Sequence, residues 1–178
     1  MTSNSTIDDL IALSQNRWMV PLLADLAAHK GARFVELLNR LGLSRDSLSR
    51  TLEAAKLSGY IMPNPGHGHP LRPEYILTEQ GHRLSIIAAA IFSAQHGISL
   101  PPASLTRWSL PLVRVMHMGG HRFNVIARAL PHATPRALSQ CLRGLAEEKL
   151  VKRELVEGYP PTSRYRLTEN GNTLARAA

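Results

Sequence analysis

The chain has 178 residues and carries 21 Lys/Arg against 13 Asp/Glu, a net charge of +8. That length suits one domain or two small ones. Its 44% apolar content fits a folded protein, but the longest strictly apolar run, residues 86–92, falls far short of the ~20 residues a membrane span requires. The N-terminal Met-Thr-Ser-Asn-Ser-Thr lacks the basic and apolar regions of a secretory leader, and the single Cys141 excludes an internal disulfide. A reducing, cytoplasmic setting is expected.

The charge is lopsided. Residues 1–90 hold 9 basic against 8 acidic side chains, and residues 91–178 hold 12 against 5. Arginine makes up 17 of the 21 bases. This bias follows either from a GC-rich genome or from a polyanionic partner, whose phosphates and guanines arginine forks onto better than lysine.

In chain order, acids at Asp8 and Asp9 behind Thr6 suit the start of a first helix. Its apolar spacing continues through Leu10, Leu13, Trp18, Leu22, Leu23 and Leu26, with Pro21 marking either a kink or a helix start. A second short helix is predicted over 34–41. A third runs over 45–57, with Ser44 as its N-cap, Leu48, Leu52 and Ala55 facing inward, and Gly59 as its stop. Strands near 60–62 and 75–77 flank a tip rich in Pro, Gly and His. Thr78 then caps a helix that continues through 86–92. That stretch is apolar around most of its circumference and is expected to be buried between two units.

The same plan then recurs. Arg17-Trp18-x-x-Pro21-Leu22 returns as Arg107-Trp108-x-x-Pro111-Leu112, and Leu48-Ser49-x-x-Leu52 as Leu138-Ser139-x-x-Leu142. Tyr75-x-Leu77-Thr78-Glu79-x-Gly81-x-x-Leu84 returns as Tyr165-x-Leu167-Thr168-Glu169-x-Gly171-x-x-Leu174. All these pairs lie 90 residues apart, whereas Arg33-Phe34 and Arg122-Phe123 lie 89 apart, so each copy contains a one-residue shift. The period is too long for a solenoid repeat of about 20–50 residues. It marks a duplicated small domain. In the second copy, helices are predicted over 110–118 and 123–130, and a third from Thr134 and Pro135 to about 149. Strands follow near 150–154 and 164–167. Helix, helix, turn, helix and a two-stranded wing make a winged helix-turn-helix, whose third helix enters a major groove. The expected fold class is mainly α with small β-wings, as two winged helix-turn-helix domains forming a pseudo-dimer. The boundaries are domain A at 1–84, a linking, dimerisation-like helix at 85–99 and domain B at 100–178.

On these residues each copy resembles the HxlR-type branch of the MarR-like winged-helix transcriptional regulators. The second copy matches the family pattern with Arg107-Trp108, Arg122-Phe123-x-x-Ile126, Thr134-Pro135-x-x-Leu138-Ser139-Gln140-x-Leu142 and Pro160-Pro161-x-x-x-Tyr165-x-Leu167-Thr168-x-x-Gly171. The first copy keeps Arg17-Trp18, Arg33-Phe34-x-x-Leu37, Leu48-Ser49-x-x-Leu52 and the wing return. The resemblance implies a sequence-specific regulator of double-stranded DNA, cytoplasmic and nucleoid-associated, with no cofactor and no metal. Such proteins usually carry one domain per chain and pair as homodimers, whereas here two domains are fused. Redox-sensing members carry an N-terminal cysteine that this chain lacks.

The groove-facing candidates are Arg45, Asp46, Ser47, Ser49 and Arg50 in the first copy, and Pro135, Arg136, Ser139, Gln140 and Arg143 in the second. Arginine can read guanine and glutamine adenine through paired hydrogen bonds. The differences Arg45/Pro135, Asp46/Arg136 and Arg50/Gln140 predict unlike half-sites. Arg72 and Arg164, placed before the return strand of each wing, are candidates for a narrow minor groove. Lys152 and Arg153 are candidates for phosphate contact. His67 and His69 lack the further ligands a metal site needs, and His117 and His121 flank a Gly-Gly turn that reads as solvated. Trp18 and Trp108 read as core anchors, and Cys141 as a small inert residue beside Leu142. No phosphate loop, nucleophile elbow or carboxylate pair points to catalysis. A homodimer and a small-molecule effector stay open as further partners. The competing function is a tandem winged-helix interaction scaffold, which the near-neutral first copy suits better than the second.

Overall fold

A computed structural model describes residues 2–65, 73–157 and 162–178, with the side chains of residues 2–6 left aside. Arg72, His67, His69, Pro70, Pro160 and Pro161 therefore lie outside the described residues. Among the described residues, copy A comprises α1 (Thr2–Leu13), α2 (Met19–His29), β1 (Ala32–Arg33), α3 (Phe34–Leu41), α4 (Arg45–Leu57), β2 (Ile61–Pro63), β3 (Glu74–Leu77) and α5 (Glu79–Gly97). A short 3-10 turn (Pro102–Ser104) leads to copy B, with α6 (Ser109–His117), α7 (Phe123–Ala129), α8 (Pro135–Glu147), β4 (Val151–Val156), β5 (Thr162–Leu167) and α9 (Glu169–Ala177). The architecture is mainly helical with two small antiparallel sheets, ordered β1-β3-β2 and β4-β5.

The helical spacing that runs from Leu10 to Leu26 is split into two helices. Trp18 is the N-cap of α2, and its N–H donates to Asn16 Oδ1 at 2.9 Å. Pro21 and Pro111 each fall in the first turn of a helix, where a missing N–H costs no intrahelical bond. Trp108 is buried and Trp18 half-buried, as core anchors should be. The one-residue shift is also located. Copy A spends one residue more between the starts of its first and second shared helices (19 to 34 against 109 to 123), and copy B one more before its third (123 to 135 against 34 to 45). The longer turn in copy A, with Lys30 at φ 60° and Gly31 at φ 138°, leads into β1, which pairs Ala32 with Tyr75 and Arg33 with Glu74. Copy B keeps only an isolated bridge between Arg122 and Arg164.

The third helix of each copy buries the same four positions, Leu48, Thr51, Leu52 and Ala55 in α4 and Leu138, Cys141, Leu142 and Leu145 in α8. Burying each leucine contributes roughly 1.5–3 kcal/mol. Ser44 Oγ accepts from the Ser47 N–H at 3.2 Å, and Thr134 Oγ1 from the Ala137 N–H at 3.2 Å, with Pro135 opening α8. Both helices end in the same left-handed motif. Gly59 (φ 72°) donates to the Lys56 carbonyl and Tyr60 to the Ala55 carbonyl, while Lys149 (φ 57°) donates to Ala146 and Leu150 to Leu145. Only glycine takes that backbone without a Cβ penalty. Lys149→Gly is therefore expected to stabilise the protein by about 1 kcal/mol, seen as a higher urea midpoint at unchanged slope. A midpoint that stays put or falls would show that Lys149 bears no strain.

The copies meet through α5 against α9 and α1 against α6, with α5 also lying along α2. The linking helix differs from its expected burial. It buries one face, Gly81, Leu84, Ser85, Ala88, Ile91 and Gln95, while Ile86 is 74% exposed and Ala89, Ala90 and Ser93 also face solvent. Helix α5 lies against α2, α9 and α1, which leaves the apolar side chains of its other face, Ile86, Ala89 and Ala90, at the surface. Helix α5 also runs without a break through the expected boundary at 84/85.

Candidate nucleic-acid interface

The outward faces of α4 and α8 present side chains at matched positions. Arg45, Asp46, Ser49 and Arg50 are exposed on α4, and Pro135, Arg136, Ser139, Gln140 and Arg143 on α8. Ser47 is half-buried, and its hydroxyl accepts from Ser44 Oγ at 2.9 Å, so it serves the helix cap. No acidic side chain is found ion-paired with Arg45, Arg50, Arg136 or Arg143 among the described residues. These guanidiniums remain available to a polyanion.

Each recognition helix is tethered at its buried side to the turn that opens the domain's first shared helix. In copy A, Thr51 Oγ1 donates to the Ser47 carbonyl at 2.7 Å and approaches Asn16 Oδ1 at 3.4 Å. In copy B the equivalents are Cys141, Thr106 and Ser109: Thr106 Oγ1 donates to Cys141 Sγ at 3.6 Å, Ser109 Oγ lies 3.6 Å from the same sulfur, and the Thr106 N–H donates to Ser109 Oγ at 2.9 Å. Burial pushes the Cys141 thiol pKa up, and the hydrogen bonds with Thr106 and Ser109 offset this only in part. A raised pKa keeps the thiolate fraction low at neutral pH, which fits the inert reading. In native protein at pH 8, Cys141 should react with iodoacetamide far more slowly than in urea-unfolded protein. Equal rates would contradict that burial.

Arg17 and Arg50 line one open groove with Trp18 and Ser47, at the edge of α4. Arg107 stacks over Trp108, with its guanidinium carbon 5.3 Å from the ring centroid. Neither arginine was among the sequence candidates, although the Arg-Trp pair repeats at 90-residue spacing. That repeat was the available signal.

In the copy B wing, Lys152 and Arg153 are exposed on β4. Arg153 donates from Nε and Nη2 to Ser163 Oγ at 3.1 and 2.9 Å, which holds its stem along the sheet. Arg166 pairs with Glu154 at 2.9 Å. Arg164 stands inside β5, opposite Glu154, and not before the strand. It is half-buried, and its Nε is buried without a protein partner. His117 and His121, expected in a solvated turn, are exposed but line a cavity with Arg164. Among the described residues no group of three or more His, Cys, Asp or Glu side chains is placed to hold a metal ion, and no helix is long and apolar enough to cross a membrane.

The chain is similar in sequence to known proteins. The sequence model of the HxlR-like helix-turn-helix family matches residues 13–96 and again 105–177. The chain is 38% identical over 69 residues to YvaP, an uncharacterized HTH-type transcriptional regulator of Bacillus subtilis (strain 168), covering 39% of this chain and 64% of that protein. It is 34% identical over 68 residues to an uncharacterized HTH-type transcriptional regulator of Methanothermobacter thermautotrophicus, covering 38% of this chain and 52% of that protein. The chain thus spans between half and two thirds of the length of these relatives. Among solved structures, a MarR-family transcriptional regulator from Enterococcus faecalis V583 shares 32% identity over 49% of this chain and 74% of its own, with a TM-score of 0.40. Diamide-treated YodB from B. subtilis shares 26% identity over 46% of this chain and 78% of its own, also with a TM-score of 0.40. The two family matches each take in one complete set of shared helices, recognition helix and wing, so the chain belongs to the HxlR-like helix-turn-helix family, once in each copy.

Proposed function

We propose that the protein is a sequence-specific double-stranded DNA-binding transcriptional regulator that acts in the cytoplasm on chromosomal DNA through two unequal winged helices. The observation that carries this reading is the pair of capped, exposed recognition helices α4 and α8, whose buried faces match while their outward faces differ. Arg136, Gln140 and Arg143 are proposed to read base edges from copy B, and Arg45, Ser49 and Arg50 from copy A. Pro135 sets the start of α8 and contributes no donor. Asp46 either accepts from a cytosine amino group or serves the first turn of α4, where a carboxylate complements the helix dipole. Lys152 and Arg153 are proposed to meet phosphates. Arg164, the candidate for a minor-groove contact, lines a cavity with His117 and His121.

The test is a mobility shift on fragments of the surrounding promoters across a salt series. Neutralising several phosphates should give log K against log salt a slope of roughly −4. Lys152→Ala should weaken all sequences about equally and flatten that slope by about one. A slope near zero, or no shift on any fragment, would overturn the reading and favour an interaction scaffold.

A further inference from the structure

In copy B the end of α6, the α6–α7 turn, β5 and the start of α9 border an open cavity of about 380 Å³. Its polar walls are His117, His121, Arg164, Arg166 and Asn172, and Met116 and Leu167 supply an apolar side. Arg164 and Arg166 are two residues apart on one strand and so project from the same face. Arg166 is already engaged by Glu154 at 2.9 Å. Arg164 has no carboxylate ion-paired with it among the described residues, and its buried Nε has no hydrogen-bond acceptor. The Arg164 side chain lines the cavity, so an anionic acceptor that meets its guanidinium there gains a charge-assisted bond.

The internal repeat supplies a control within the same molecule. Scaffold positions around the cavity are shared by both copies: Leu77 and Leu167, Thr78 and Thr168, Gly81 and Gly171. The cavity's cationic and imidazole positions are not shared. Where copy B has His117, His121, Arg164 and Arg166, copy A has Ala27, Ala32, Glu74 and Ile76. Both copies bring the same stretch of backbone to this place, Ala32 pairing with Tyr75 in copy A and the His121 carbonyl accepting the Tyr165 N–H at 2.8 Å in copy B, so the copies differ here in side chains and not in backbone path. Copy A places two alanines, an isoleucine and a carboxylate there, a set with no cationic or imidazole donor. Copy B lines the same place with donors.

We propose that this cavity is a binding site for a small organic anion, in which Arg164 forks onto a phosphate or carboxylate head, the imidazoles of His117 and His121 donate to it, and Met116 and Leu167 cover an apolar body. The volume lies within the range of ligand pockets and suits one apolar group with its charged head. A regulatory role for such a ligand rests on the DNA-binding reading, whereas the site itself does not.

Calorimetric titration of the full-length, DNA-free protein separates the two. Phenyl phosphate, with a dianionic head and an apolar body, is expected to bind saturably at one site per chain. Hexanoate tests the carboxylate head, and inorganic phosphate tests the head without a body and should bind more weakly than phenyl phosphate. Arg164→Gln should weaken phenyl phosphate by about 10- to 100-fold. If that variant fails to fold, the double variant His117→Gln/His121→Gln, at two exposed positions, should weaken it by about tenfold or more. Arg136→Ala should leave the titration unchanged. No saturable binding of phenyl phosphate or hexanoate, or binding that survives both cavity variants, would overturn the proposal. Failure of the mobility shift with an intact titration would overturn only the DNA-binding reading.

Discussion

Arg136→Ala should weaken binding to the preferred DNA site by about 5- to 140-fold, the equivalent of about 1–3 kcal/mol for one bidentate base contact. It should also flatten the sequence preference of one half-site. Arg136 is exposed in the first turn of α8, one residue past Pro135, on a helix whose opposite face is locked by Leu138, Cys141, Leu142 and Leu145. Its guanidinium is thus held out from a rigid base, the arrangement in which a fork loses little freedom on binding. The matched position in copy A is Asp46. Asp46→Arg should therefore change which base pairs the copy A half-site prefers and tighten non-specific binding. The check is a binding titration on operator variants altered in one half-site at a time. If Arg136→Ala weakens every sequence equally, the residue contacts phosphate, and copy B reads DNA through Gln140 and Arg143.

Gly171→Ala, and equally Gly81→Ala, should destabilise the protein by about 3 kcal/mol or more, at the upper end of what forced overpacking costs. Gly171 is the third residue of α9. A Cβ there would fall inside van der Waals contact of the Leu150 carbonyl oxygen, and one at Gly81 would do the same to the Tyr60 carbonyl oxygen. These carbonyls cannot retreat cheaply. The Leu150 carbonyl accepts the Thr168 N–H at 2.9 Å, and Thr168 Oγ1 accepts the Gly171 N–H at 3.1 Å while donating to the Lys149 carbonyl at 2.7 Å. Thr78 and Gly81 reproduce the same joint in copy A. The Thr-Glu-x-Gly repeat thus records a weld between the end of the recognition helix, the root of the wing and the helix that packs the copies together. Chemical denaturation of each alanine variant measures the loss. A change under 1 kcal/mol at both sites would mean that the joint relaxes freely.

The parts of the fold legible in sequence are those set by neighbours along the chain. Ser44 and Thr134-Pro135 cap α4 and α8 where their side chains and spacing say they should, and the inner faces of both helices follow from the leucine periodicity. β1 was not legible, because two residues, Ala32 and Arg33, become a strand only through pairing with β3 across more than 40 positions of chain. The burial of α5 was misjudged for a related reason. An apolar circumference describes the helix, whereas burial depends on what lies beside it, and Ile86 is left 74% exposed. The cavity around Arg164 was illegible too, because its walls come from α6, the following turn, β5 and α9. Read along the chain, His117 and His121 are two turn residues. In space they line one cavity with Arg164.

Helix α5 carries a consequence for how such a regulator would respond to its own abundance. Because it leaves copy A and enters the seam with α9 as one unbroken rod, the two reading heads are never separate molecules. A regulator that pairs from identical subunits loses its DNA-binding form on dilution, so its occupancy falls with the square of subunit concentration. A single chain that brings both heads to DNA would lose occupancy only in direct proportion. The same linkage means that a change in one reading head is never mirrored in the other, which leaves each half-site free to drift alone.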